Sequence, residues 1–499
     1  MKTFKGLLLL SAATVFLFSC SEEFLDEIPR GSLISAEELG EVGKVNSEIG
    51  NATVGGIYTT FYSSGVGGTT RHSDFGVKSN DMNMDLLSGD MVLGAKRYGW
   101  WRWNSELTVG EDFVSTENYI PWRFLYRVVN LANLVVDGQG GNDVVPETAA
   151  ARALMGQAKA ARAWAYFNLV HLYVDDIHQR DQLVLPIYTS STENVGKSSL
   201  GDIYNLMEAD LTEAISLLSE FQRSAKFEIN TDVARGVLAY VYAAQNKWQQ
   251  VKETTEAIVL SGTYPIMDRA EVLAGFHAVD NHPGIMWGTD ITTDNGMNLL
   301  SFWGHIDYYS YSYAGVGDPK NINAELYAAM DDSDVRKQQF GSTAFTQGPY
   351  APIRKFYREG AAPDFQRFSG PSSGFTSDLH YMRVAEFWLL HAESAAELGD
   401  LAAARTSLKK LLDLRVDDSS YVDGLSQSEL LDEIYLQTRI ELWGEGKSYL
   451  ALKRRKGTVV LPSNHLDFPG RQIPHNSNLI TLEIPEAEIL YNPLINDQN

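Results

Sequence analysis

Cysteine is almost absent from this chain: Cys20 is the only one in 499 residues. One thiol cannot form an intrachain disulfide or a thiolate metal cage, so any role it has depends on its position. Long apolar runs are missing too. Beyond the first 19 residues nothing approaches the roughly 20 residues that span a bilayer. Positive charge is scarce, with 41 Lys and Arg against 64 Asp and Glu and a formal charge of −23. Nucleic acid is therefore not an expected partner, because neutralising phosphates takes clustered bases, and a basic patch for anionic lipid is excluded on the same ground.

Catalytic signatures are also missing. The sequence has no nucleophile motif, no His-Glu-x-x-His and no phosphate-cradling glycine loop, and His72 and Asp74 in "RHSDF" stand without such company. In "DMNMD", Asp81, Asn83 and Asp85 have calcium-loop spacing, but Leu86 stands where the turn needs glycine and Val92 where a glutamate must close the loop. Glu441 and Glu445 fall four apart with Arg439 two residues before them, and Arg383 and Glu386 fall three apart. These read as paired charges on a helix face rather than as the two carboxylates of a glycosidase. No catalytic residue, metal or cofactor is expected.

What is present begins at the N-terminus. Lys2 and Lys5 precede an apolar stretch from Leu7 to Phe18, the pattern of a secretory leader. Its end, "LFSC" of "LFSCSEEFLDEIPR", resembles a bacterial lipoprotein box, which implies removal of residues 1–19 and lipidation of Cys20. Acyl chains on that residue would be the only membrane contact, each buried methylene contributing about 0.8 kcal/mol.

Downstream the apolar period is that of helices. Leu154, Ala158, Ala161, Ala165, Leu169 and Leu172 form one stripe, with Gly156, Ala160 and Ala163 as a small-residue face. Further helices are expected from Ile203 to Leu218 and, as a pair joined near Asn246, from Val233 to Leu260. "FWLLHAESAAELGDLAAARTSLKKLL" fits the tetratricopeptide template at Trp388, Ala392, Leu398, Gly399 and Ala404, and Leu238, Ala239, Tyr242 and Val251 fit it more loosely. The expected fold is mostly α: tetratricopeptide-like helix pairs form a right-handed scaffold over about 120–260 and 378–460. Irregular, aromatic-rich regions at about 51–118 and 261–377 are where binding is expected.

Four motifs in order, "GQAKAARAWAYFNLVHLY", "YMRVAEFWLLHAESAAELGD", "RIELWGEGKSYLALKRRKG" and "EIPEAEILYNPLINDQN", resemble the SusD/RagB family, the outer-membrane nutrient-binding lipoproteins of Bacteroidetes. The resemblance covers residues 20–499 as a single domain. It implies a surface-exposed lipoprotein, lipidated at Cys20, that captures an oligosaccharide, a polysaccharide or a peptide and acts as a lid on a SusC-like TonB-dependent barrel. The alternatives are a protein-binding scaffold lipoprotein and a secreted glycoside hydrolase. Family ligand sites carry no fixed motif, so candidates come from the residues themselves.

Sugars are held by flat rings over their C–H faces with polar groups beside them. "YGWWRWNSE", if extended, points Trp101 and Trp103 to one face and Trp100 and Arg102 to the other. Trp101, Trp103 and the neighbouring Asn104 are the first candidates; Trp303, Tyr309 and Tyr311 of "SFWGHIDYYSYSY" are the second group. Trp287, in an apolar run, is assigned to the core.

Overall fold

The computed structural model describes residues 47–190, 194–309, 311–343, 346, 348–357 and 376–499. The expected leader and Cys20 lie outside the described residues. The chain opens with helices α1 (Ser47–Tyr62) and α2 (Val77–Leu87), strand β1 (Met91–Leu93) and the short helix α3 (Arg102–Glu106). Five long helices follow: α4 (Thr116–Gly138), α5 (Ala149–Tyr173), α6 (Leu200–Leu217), α7 (Thr231–Ala244) and α8 (Trp248–Val259). After strands β2 (Ile285–Thr289), β3 (Lys320–Ile322) and β4 (Leu379–Arg383) come α9 (Val384–Glu397), α10 (Leu401–Leu412), α11 (Gln427–Glu441) and α12 (Lys447–Arg454).

Polar caps start most of the long helices. The side chains of Thr148, Ser199, Asn230 and Asp400 accept from backbone N–H groups at Ala151, Asp202, Val233 and Ala403, and Ser426 with Glu429 forms a capping box. The small face of α5 packs on α6 and the chain just beyond it: a Cβ added to Gly156 would sit 2.7 Å from Leu218 Cγ. The two tetratricopeptide-like turns close in the same way. Gly399 (φ 78°) and Asn246 (φ 56°) are both left-handed, and the next residue's N–H reaches back to Ala395 and Tyr242 respectively.

Packing runs in sequence order from α4 to α8 and then passes directly to α9, as if the residues between were absent. The insertion therefore leaves and re-enters the stack between adjacent helices. Its neck is the antiparallel pair β2–β4, with Ile285 opposite Arg383 and Thr289 opposite Leu379. Trp287 on β2 is buried, as expected, and donates to the Phe227 carbonyl at 2.9 Å. The region near 51–118 contains α1, α2 and the start of α4, so it is less irregular than its composition suggests.

A charged core ties the insertion to the stack. Glu441 accepts from Arg415 at 2.9 and 3.0 Å, from Arg336 at 3.2 Å and from Arg383 at 3.1 Å. Glu445 pairs with Arg383 at 2.8 Å and Lys355 at 3.2 Å. All six side chains are buried. Burial alone would raise the two carboxyls, yet the surrounding cations hold both well below the usual glutamate range. The expected pairing along one helix face is thus replaced by a buried network that joins separate elements. Arg439 turns away to Asp90 at 2.6 Å, and Glu386 caps its own helix by accepting from the Arg383 backbone N–H at 2.7 Å.

Candidate functional site

Strand pairing assembles the site. β1 runs antiparallel to β3 with Leu93 opposite Lys320, so the loop leaving β1 and the loop entering β3 emerge at one end of the pair. Their backbones then join: Gly94 N–H donates to the Pro319 carbonyl at 2.9 Å and Arg97 N–H to the Asp318 carboxylate at 3.1 Å. The segments "YGWWRW" and "YSYSY" are thereby brought side by side.

The Trp segment turns instead of extending. Gly99 (φ 75°) and Trp101 (φ 67°) are both left-handed, and α3 starts at once. A left-handed conformation in a bulky residue costs about 1–3 kcal/mol and persists only where its surroundings impose it. The consequence is that the expected face is split, with Trp103 staying at the surface and Trp101 leaving it. Trp101 points inward and is 2% exposed, against Phe75 and His305, whereas Trp100 is left half-buried at the surface.

Tyr313, itself buried, is the post of a ring cluster. Tyr98 meets it edge-on at 5.2 Å, Trp100 at 6.1 Å and His72 at 5.6 Å, and His305 stacks beneath it at 4.9 Å. His72 lies parallel to Trp100 at 4.8 Å and shares a hydrogen bond with the Tyr313 hydroxyl. Burial lowers the pKa of His72 and lowers that of His305 much further. Since a carbonyl can only accept, His305 Nε2–H must donate to the His72 carbonyl at 2.7 Å. The His72 loop is fixed in turn by Asp74, which accepts from Gly67 N–H at 2.7 Å and from the Thr69 hydroxyl at 2.8 Å. Outside the post, Tyr98 is 53% and Tyr311 46% exposed. Arg71 lies over the Trp103 ring at 5.3 Å.

The six candidates divide. Trp103 is half-buried and Tyr311 exposed, both on this surface. Asn104 is buried and donates to the Asn83 side-chain oxygen, so it is not available to a ligand. Trp303 is fully buried, its indole N–H given to the Ser377 carbonyl at 2.9 Å. Tyr309 belongs to a small apolar cluster under the loop, and its hydroxyl donates to the Ile353 carbonyl at 2.8 Å. Tyr98, Trp100, Tyr313 and Arg71 were not singled out. The usable signal was the glycine before the Trp pair, which permits the turn that exchanges their faces. Asp81, Asn83 and Asp85 lie on α2 and are buried rather than in a loop, and no group of three or more metal-ligating side chains occurs among the described residues.

Comparison with known proteins agrees with the architecture. A family described as "Starch-binding associating with outer membrane" matches residues 77–243, and the SusD family matches residues 334–481. The SusD-like protein P25 of Formosa agariphila is 25% identical over 525 residues, covering 96% of this chain and 95% of its own. A SusD-like carbohydrate binding protein from Bacteroides vulgatus superposes with a TM-score of 0.74 at 24% identity, over 90% of this chain and 97% of its own. Surface glycan-binding protein A from Bacteroides thetaiotaomicron, solved with laminarihexaose, gives 0.65 at 15% identity, over 91% and 99%. The solved structures share the tetratricopeptide-like helical fold. With one family match in the first half of the chain, a second running from within the insertion through the later helices, and a full-length relative of the same kind, the chain belongs to the SusD/RagB family.

Proposed function

We propose that this protein is a binding lipoprotein of the outer membrane. Held by lipid on Cys20 and facing the exterior, it captures a glycan on the Tyr98–Trp100–Tyr311 surface and delivers it to a SusC-like TonB-dependent barrel, for which it acts as a lid. The observation that carries this reading is Trp100, kept at the surface between two left-handed residues and backed by His72 and Tyr313. A backbone held in strain to present a ring fits recognition better than packing. The relatives support it by what they bind: surface glycan-binding protein A holds laminarihexaose. No helix among the described residues is long and apolar enough to cross a membrane, which is compatible with a lipid anchor. Binding and gating account for the whole activity in this reading, with no bond made or broken.

The loop conformation is already set before ligand arrives. The Asp318 N–H returns to the Tyr313 carbonyl at 2.8 Å, and Gly315 N–H to the Ser312 hydroxyl at 2.8 Å. Little ordering entropy is then left for binding. Titration calorimetry against a glycan panel tests the reading. Trp100→Ala should weaken the best ligand by about 1–3 kcal/mol, by analogy with stacked bases, and leave the melting temperature within a few degrees. Failure of every glycan to bind would sink it. For delivery, a mild-detergent pull-down of the lipidated protein should recover a barrel of transporter size at near-equal stoichiometry; recovery of the protein alone overturns the lid.

A further inference from the structure

The charge on the three loops that build the platform runs against the rest of the chain. The protein carries a formal −23. Yet the acids of loops 65–76 and 307–319, Asp74, Asp307 and Asp318, are all 0% exposed. The charged side chains that reach the surface from these loops and from 94–103 are Arg71, Lys96, Arg97 and Arg102. Three of the four are already engaged: Lys96 contacts Glu106 at 3.0 Å and Asp467 at 2.5 Å, Arg102 contacts Glu106 at 3.1 Å, and the Arg97 charge acts on the Asp318 carboxylate.

Arg71 is different. Among the described residues no carboxylate lies within ion-pair distance of it, and its guanidinium rests over Trp103. Glu117, whose carboxyl its charge influences, is buried and hydrogen-bonded to the Ser73 hydroxyl at 3.0 and 3.2 Å. A guanidinium laid on an indole presents its N–H edge outward in one plane, the geometry that receives two oxygens of a carboxylate or a sulfate together. At physiological salt, charges farther away than about 8 Å are largely screened, so a ligand on the platform meets this local cationic rim rather than the net −23.

We propose that the ligand is an acidic glycan, carrying carboxylate or sulfate ester groups, and that Arg71 is the residue that selects it. This rests on the platform being a glycan site. Calorimetry on the full-length lipidated protein in detergent would compare hexamers of galacturonate, of sulfated galactose and of neutral β-1,3-glucose. An acidic hexamer should bind at least about tenfold more tightly than the neutral one, and the tighter of the two acidic ones identifies the substituent. Arg71→Gln should lower the ratio of acidic to neutral affinity about tenfold, with the melting temperature as the check on folding, and Arg71→Lys should recover only part of the loss. Arg97→Gln serves as a second variant on the same rim. A neutral hexamer bound as tightly as the acidic ones, with Trp100→Ala weakening it, overturns the acidic preference and leaves the glycan site standing. Acidic binding indifferent to both arginine variants overturns the role of the rim. Binding of none of the three removes the platform reading and this inference with it.

Discussion

Glu441 is the most consequential single carboxylate in the fold. Its two oxygens take four hydrogen bonds, from Arg336, Arg383 and Arg415, and each of these side chains is at most 1% exposed. In Glu441→Gln the neighbours are affected unequally. Arg336 keeps Asp334 at 2.6 Å and Arg383 keeps Glu445 at 2.8 Å. Arg415 has no second carboxylate: the introduced amide offers it one uncharged oxygen, and its other partners are the carbonyls of Met267 at 2.7 Å and Leu414 at 3.1 Å. An uncompensated buried guanidinium follows, for which the expected loss is about 3–5 kcal/mol. Against a typical total of about 5–15 kcal/mol that is a large share. Urea unfolding followed by tryptophan fluorescence measures it, with fully buried Trp443 two residues away as a local reporter. Pairing Arg415→Met with Glu441→Leu should recover part of the loss, because both charges then leave together. A loss below about 1 kcal/mol in Glu441→Gln, without change in the urea slope, would refute the claim that this network holds the insertion to the stack.

The same carboxylates set an acid limit. Glu441 and Glu445 are held well below the ordinary glutamate value of 4.5, so their contribution is present above that pH and disappears as pH falls toward their folded values. The urea midpoint should therefore drop steeply below about pH 4.5, and less steeply in Glu441→Gln. The two adjacent tryptophans should separate cleanly. Trp101→Ala empties a buried site and should cost about 3–5 kcal/mol of stability, while Trp100→Ala should cost under about 1 kcal/mol yet abolish tryptophan quenching by glycan.

The helix pairs were readable because their apolar stripes recur at helical spacing and their caps are local. Helix α2 was not. Lys78, Asp81, Asn83 and Asp85 are polar but buried; Lys78 pairs with Asp81 at 2.7 Å within the helix, but the Gly444 carbonyl also receives Lys78 at 3.5 Å, and Gly446 N–H and the Ser448 hydroxyl reach Asp85 at 3.3 and 3.2 Å. Polar residues whose partners lie hundreds of positions away look like loop in any local window. Arg439 shows the same effect, since its nearness in sequence to Glu441 and Glu445 suggested pairing while its partner is Asp90. At the site, the segments carrying the rings could be recognised, but which ring faces out could not. That was decided by the sign of φ at Trp101, which depends on the Phe75 and His305 packing beneath it.

The two-stranded ladder of β1 and β3 also fixes when the platform can exist. Met91 must wait for Ile322, made about 230 residues later. At roughly 5–20 residues per second that interval is about 10–45 s, during which the Trp loop has no Tyr313 to stand on. The helical stack can grow behind it from local contacts, whereas the ligand surface forms only by a late, long-range closure. A nascent or truncated chain ending before β3 would thus carry much of the scaffold and none of the recognition, and the ability to hold ligand becomes a check that the insertion has been completed.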